Sequence, residues 1–222
     1  MHSRKTTRRL NFLITAGGTR EYIDPVRFIS NASTGKMGYE LARAAKAAGH
    51  NVTLITTIRN PESEILNIKT IFVDTAGDMF RAVKKHFPKS NCLIMAAAVS
   101  DYTPVKTSRL KIRKSSRLIT LKLKPTPDIL KWAGLHKHKG QLVIGFALED
   151  RNLKISAEHK LRDKNLDIIV ANSPESIGAD KSTFWIKPAG SGWLSLKNKR
   201  KSVIAHAVIE LAETALLRGK PE

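Results

Sequence analysis

Cysteine is almost missing from this sequence. Cys92, inside the apolar run "NCLIMAAAV", is the single one, so neither an internal disulfide nor a cysteine-built zinc site is open to the chain. It reads as a small packed hydrophobe rather than a nucleophile. The seven histidines never fall into an HxxxH spacing and no GxSxG occurs, which removes the helical zinc-hydrolase and serine-hydrolase patterns. Aromatic residues make up 6% of the chain, and its three Tyr and three Trp are not interleaved with cations as a nucleic-acid stacking platform requires. No stretch approaches the ~20 apolar residues of a membrane span. The basic start "MHSRKTTRRL" is followed by too short an apolar run for a secretory leader. The expectation is a cytoplasmic protein without membrane contact. Acidic residues are the last scarcity: 19 Asp and Glu stand against 39 Lys and Arg, and the resulting net charge of +20 attracts anions.

What is present is enough apolar material, 41% of 222 residues, for one substantial core. The division expected is a basic arm over residues 1–9 and a single domain over 10–222. Part of the charge falls in three runs: the arm, "KTSRLKIRKSSRLITLKLK" (106–124) and "KNKRK" (197–201). The first and third read equally well as solvated, solubilising surface. Along the chain, apolar runs too short for helices alternate with segments of helical period. Strands are expected over 10–16, 51–57, 67–75, 91–99, 141–149 and 166–172, and helices over 36–49, 76–87, 126–137 and 152–165. Near the end, "STFWIKPAGSGWLSLKNK" (182–199) reads as a hairpin turning at Ala189–Gly192. A final helix carries Ile204, Ala207, Val208, Leu211 and Ala215 on one face. The fold class is therefore α/β: a Rossmann-like, mostly parallel sheet with helices on both faces and a C-terminal β-hairpin extension. In such a sheet ligands sit beyond the carboxyl ends of the strands, which selects the loops after Ala16, Val99, Ala147 and Ala171.

The first loop contains "TGKM", yet it is no P-loop, because Ser30 stands where that motif needs glycine and Met37 where it needs Ser or Thr. The dinucleotide fingerprint GxGxxG fails as well, which argues against an NAD(P)H-dependent oxidoreductase. What remains is a glycine-rich strand end and a helix N-terminus near Gly35, a device that lets backbone N–H groups approach an anion. Lys160 and Lys164, four residues apart, share one helix face.

Taken as a set, the loops resemble phosphopantothenoylcysteine synthetase. The resemblance runs through "ITAGGTREYIDPVRFISNASTGKMG" (14–38), "AAAVSDY" (96–102), "KIRK" (111–114), "PDIL" (127–130), "GFALE" (145–149) and "KLRDKNLDIIVAN" (160–172), in the family's order and over most of the chain. It departs at Thr126, Asp150 and Ser173, where the family often carries Asn, Thr and Asp. In many bacteria this domain is fused behind a flavin-dependent decarboxylase; the expectation here is a stand-alone synthetase. The resemblance implies a ligase of coenzyme A biosynthesis that activates 4′-phosphopantothenate as an acyl-cytidylate, using CTP with Mg²⁺, and then forms an amide with L-cysteine. It implies a homodimer as well. ATP in place of CTP is the alternative, and a basic nucleic-acid-binding α/β protein is a lower-ranked one.

The resemblance also assigns residues. Asn31, Lys111 and Arg27 are implied as catalytic, Asn31 as the amide donor to the acyl-nucleotidylate and Arg27 as an anion fork. Gly17, Gly18, Ala97, Ala98, Asp101, Pro127, Asp128, Ile129, Leu130, Phe146, Lys160 and Lys164 are implied as nucleotide contacts. Gly35, Lys36 and Gly38, with Arg27 and Asn31, are implied as contacts to the acid substrate. The cation-rich stretch around Lys111 is expected to act as a closing lid.

Overall fold

The computed structural model describes residues 8–59, 67–116 and 118–217; residues 1–7 of the expected arm, residue 117 of the second basic run and residues 218–222 lie outside them. In chain order the first elements are β1 (Asn11–Ala16), β2 (Arg20–Tyr22), β3 (Phe28–Ser30), α1 (Lys36–Ala47), β4 (Asn51–Thr56) and β5 (Lys69–Phe72). Next come α2 (Ala76–His86), β6 (Cys92–Met95), β7 (Tyr102–Pro104), β8 (Leu123–Pro125), α3 (Ile129–His136), β9 (Leu142–Leu148) and α4 (Leu153–Asp163). The chain closes with β10 (Ile168–Asn172), β11 (Lys181–Pro188), β12 (Leu194–Arg200) and α5 (Lys201–Leu217).

β1 shows why the sheet is covered on both sides. Phe12, Ile14 and Ala16 enter one core layer and Leu13 the other, all buried, as a central parallel strand requires. β4 and β6 flank β1 in parallel, with Phe12 opposite both Val52 and Cys92. The eight-stranded sheet runs β12-β11-β10-β9-β6-β1-β4-β5, and its six central and β5-side strands are parallel. β11 and β12 add antiparallel to β10 as the expected hairpin. The strand order reverses direction between β1 and β6, the place where an open α/β sheet leaves a crevice. α1 and α5 pack on one face around Leu41, Ala45, Ile204 and Val208. α2, α3 and α4 pack on the other around Met79, Val83, Ala133 and Leu161.

Several boundaries differ from the sequence expectation for identifiable reasons. The expected strand 91–99 stops at Met95 because the next residues turn to the β1 loop: the Ala97 N–H donates to Thr15 Oγ1 (3.1 Å) and the Ala98 N–H to the Gly17 carbonyl (2.8 Å). α3 starts at Ile129, not 126, because Asp128 caps it, accepting from the Lys131 N–H at 2.9 Å. α2 begins where expected, fixed by a capping box in which Thr75 and Asp78 each accept the other's backbone N–H at 3.1 Å. Two ribbons, β2–β3 and β7–β8, have no counterpart in the sequence reading; their strands are three residues each, too short to carry a period of apolar residues. Among the described residues no helix is long and apolar enough to cross a membrane.

Candidate functional site

A cavity of about 740 Å³ opens at the carboxyl edge of the sheet, over the crevice between β1 and β6. Four segments wall it: 31–37, 95–102, 125–130, and a far wall from the ends of β9, α4, β10 and α5. The near wall includes the start of α1. Gly35 takes the N-cap position in the left-handed conformation (φ 71°), which only glycine adopts without strain. The N-cap glycine has no side chain to cap this end and no acidic residue lies in its first turn; the Lys36 N–H donates to Thr34 Oγ1 (3.4 Å), and the helix turns its positive pole to the cavity.

Asn31 is on the same wall. Its Nδ2 donates to the carbonyls of Ala98 (3.3 Å) and Val99 (3.2 Å), stitching the α1 loop to the β6 loop. The β1 loop comes close to the same segment: a Cβ on Gly18 would lie 2.7 Å from the Asn31 carbonyl oxygen. Gly17 and Gly18 therefore shape the floor by letting the loops meet and do not themselves line the cavity. Gly38 serves packing too. It is buried in α1, and its missing side chain lets the helix sit against Thr15 and Ala16 of β1.

The far wall is cationic. Lys160 is largely buried, donates to the Phe146 carbonyl (2.9 Å) and lines the cavity beside Lys164. Burial, and after it the neighbouring Lys164 ammonium, pushes Lys160 below the ordinary lysine range, against the pull of Glu149, Asp128 and Asp101. Lys164 reaches Asp128 at 2.8 Å. Burial opposes ionisation of Asp128, but the Lys164 hydrogen bond and the Lys131 N–H outweigh it and hold the carboxyl below its usual range. Ala97, Ala98, Asp101, Pro127, Asp128, Ile129, Leu130 and Phe146 all line the cavity, as do Gly35 and Lys36. Thus the structure gathers most of the residues assigned from sequence into one place.

Arg27 and Lys111 lie outside that wall. The Arg27 guanidinium grips the fully buried Asp24 carboxylate through Nε (2.9 Å) and Nη2, and donates as well to the Ile112 carbonyl at 2.6 Å. Asp24 accepts in addition from the N–H groups of Val26, Arg27 and Ile112. The Arg27 hydrogen bond, helped by those N–H donors and opposed by burial, holds the Asp24 carboxyl far below the usual carboxylate range. This buckle anchors the strap that carries the exposed Lys111, so Arg27 and Lys111 are neighbours through Ile112 rather than through the cavity.

Among the wall residues to which the sequence assigns no role are Asn172 at the end of β10, Ser176 in the following loop, and Lys201 at the start of α5. Asn172 Nδ2 donates to Ser176 Oγ, and the Lys201 ammonium donates to the carbonyls of Ser176 (3.0 Å) and Ala179. The carboxyl-edge rule points to the loop after β10, but nothing in "KNKRK" separates Lys201, which is buried, from its exposed neighbours. Among the described residues no group of three or more His, Cys, Asp or Glu is placed to hold a metal ion.

Known proteins share this arrangement. The family model described as "DNA/pantothenate metabolism flavoprotein C-terminal domain" matches residues 7–215. The chain is 47% identical over 169 residues to a cysteine/cysteine sulfinic acid decarboxylase from an unknown prokaryotic organism, covering 75% of this chain and 46% of the relative. It is 46% identical over 167 residues to the coenzyme A biosynthesis bifunctional protein CoaBC of Bacillus subtilis (strain 168), covering 75% of this chain and 41% of that one. Both relatives are thus more than twice as long as the part matched. A crystal structure of the C-terminal domain of a CoaBC protein superposes with a TM-score of 0.79 at 34% identity, covering 94% of this chain and 96% of that domain. With that near-complete overlap and the match across residues 7–215, the chain belongs to the DNA/pantothenate metabolism flavoprotein C-terminal domain family and is a homologue of the CoaBC C-terminal domain.

Proposed function

We propose that this chain is a phosphopantothenate–cysteine ligase: it activates the carboxylate of 4′-phosphopantothenate with CTP, releasing pyrophosphate, and passes the acyl group to the amine of L-cysteine. The observation that carries this reading is the convergence of an uncapped α1 N-terminus, the Asn31 amide and the Lys160–Lys164 pair on one cavity at the switch point of the sheet. The family's association with coenzyme A biosynthesis, printed in the names of its CoaBC relatives, supports the same reaction class.

A carboxylate is a poor electrophile, so forming an amide from it first needs a mixed anhydride with a nucleotide phosphate. Both steps gather negative charge, and positioning with electrostatic stabilisation is what this cavity offers. The α1 N–H donors and Lys36 face one anionic group, while Lys160 and Lys164 face another across the cavity. Phe146 gives an apolar surface for base or ribose. Asn31 is neutral and does not repel a developing acyl-nucleotidylate; its amide, which in this structure donates to the Ala98 and Val99 carbonyls, would release one of them to donate to that group, whereas a carboxylate there would repel both phosphate and substrate. Because no metal-ligating group of three is present among the described residues, Mg²⁺ is read as arriving on the nucleotide phosphates, which it screens. Arg27, fixed to Asp24, holds the root of the strap through Ile112, and Lys111 on that strap serves the reaction by closing over the bound substrates.

The ribbons β2–β3 and β7–β8 and the strap between β7 and β8 expose Phe28, Tyr102, Val105, Leu110 and Leu123. These exposed apolar side chains support a homodimer, tested by sedimentation under working conditions, where a clean monomer argues against it.

The deciding assay supplies the protein with phosphopantothenate, L-cysteine, Mg²⁺ and one nucleoside triphosphate at a time. CMP, pyrophosphate and amide product are expected with CTP; AMP with ATP alone moves the assignment to the alternative nucleotide, and no nucleotide-dependent ligation overturns it.

A further inference from the structure

Three charged groups meet where α1 and α5 both begin. Lys36, the first residue of α1, lines the cavity, and its Nζ lies 2.6 Å from Asp180 Oδ1. Asp180 stands on the 173–180 loop between β10 and β11, with 87% of its side chain exposed. Lys201, the first residue of α5, is 7% exposed and holds that loop through the carbonyls of Ser176 and Ala179. Asn172 pins the same loop from the sheet side through Ser176 Oγ. Asp180 follows Ala179 directly, so the grip of Lys201 on the loop backbone sets where the carboxylate can stand.

The charges are coupled. Burial foremost, then the Lys36 ammonium, pushes Lys201 below the ordinary lysine range, and Asp180 opposes that shift. The Lys36 hydrogen bond holds the Asp180 carboxyl below its usual range. Two ammonium groups lining one cavity repel each other, and a carboxylate at the rim relieves the repulsion. A phosphate bound at the α1 N-terminus would take the same charge-assisted bond from Lys36, and it would be repelled by Asp180.

We propose that Asp180 is a displaceable internal counter-ion for Lys36, positioned by Lys201, which competes with the phosphate of an incoming ligand and so lowers the affinity of the cavity for anions. This rests on the cavity being a phosphate site, as argued under Proposed function. Displacement is easy because Asp180 is already mostly in water and returns to it without unburying anything else. An exposed ion pair contributes little, so removing such a competitor tightens anion binding by no more than about fivefold.

The test titrates the whole chain with inorganic pyrophosphate and, separately, with CTP, by calorimetry at fixed ionic strength. Asp180→Asn is expected to bind about two- to fivefold more tightly. Glu175→Gln makes the same change of net charge at an exposed position of the same loop and controls for the long-range field; its effect is expected to be smaller. Lys36→Gln is expected to weaken binding and to abolish the gain from Asp180→Asn in the double variant. The inference is overturned if Asp180→Asn gains no more than Glu175→Gln, or if its gain survives in the Lys36→Gln background. Failure of the wild-type chain to bind either probe removes the phosphate reading itself, and this inference with it.

Discussion

Replacing Gly38 by alanine tests whether the seat of α1 on β1 sets the geometry of the cavity. The new Cβ would fall 2.5 Å from the Ala16 Cβ, 2.8 Å from the Thr15 carbonyl oxygen and 2.9 Å from the Ala16 Cα. None of these is the end of a flexible side chain, so none can swing aside. Restoring an ordinary carbon–carbon contact of roughly 3.5–4.0 Å requires α1 to retreat by about 1 Å. Overpacking of this kind costs ~1–3 kcal/mol, and the better helix propensity of alanine returns ~1 kcal/mol of it. A net loss of up to roughly 2 kcal/mol in a chain of this size corresponds to a fall in Tm of up to about 8 °C. The same retreat moves Gly35, Lys36 and Met37 on the cavity wall, and a 1 Å error in a reacting geometry costs on the order of 10² in rate. Thermal denaturation followed by circular dichroism, beside pyrophosphate release in the ligation assay, reads both effects. A variant that melts early but turns over at the wild-type rate refutes the coupling of helix seat to site, and one unchanged in both refutes the packing argument too.

Two further outcomes are expected. Asn31→Asp loses both amide donations to the β6 loop and places a carboxylate against two carbonyls; it should still fold but lose on the order of 10²–10³ in kcat, the effect of removing one transition-state donor worth about 2.7–4 kcal/mol. A near-normal rate would remove its assigned role. Asp24→Asn unfastens the strap that carries Lys111, so it should lower both activity and Tm at neutral pH. The native Asp24 pKa lies below the unfolded value of ~3.9, so its stabilisation is complete above that pH and is lost as pH falls toward and through the native value. The Tm gap between wild type and Asp24→Asn should accordingly close below about pH 4, and a gap that stays constant with pH contradicts the linkage.

The sheet is legible in the sequence because its central strands are buried on both faces: runs such as "FLITA" and "LVIGFAL" leave no other place for so many apolar side chains. The antiparallel hairpin at the end is legible from its turn. The ribbons β2–β3 and β7–β8 are not, because strands of three residues are too short to show an alternation of apolar and polar side chains. At the site, the loop glycines and Lys160 with Lys164 can be read from spacing and resemblance. The roles of the glycines cannot: Gly38 is spaced like a ligand loop residue, yet what demands it is the backbone of β1. Arg27 looks like a free anion fork in sequence, and only the fold brings Asp24 and the Ile112 carbonyl to it. Lys201 is hidden for the opposite reason, since one buried lysine in a run of exposed ones has no mark of its own.

The use of Lys201 as a wall residue has a consequence for how the protein is made. The side of the cavity around Asn31 is translated well before Lys201, which follows the hairpin β11–β12. Nascent chains ending inside the hairpin therefore lack a finished pocket, and a nucleotide in the surrounding solution cannot steady them as it would the completed protein.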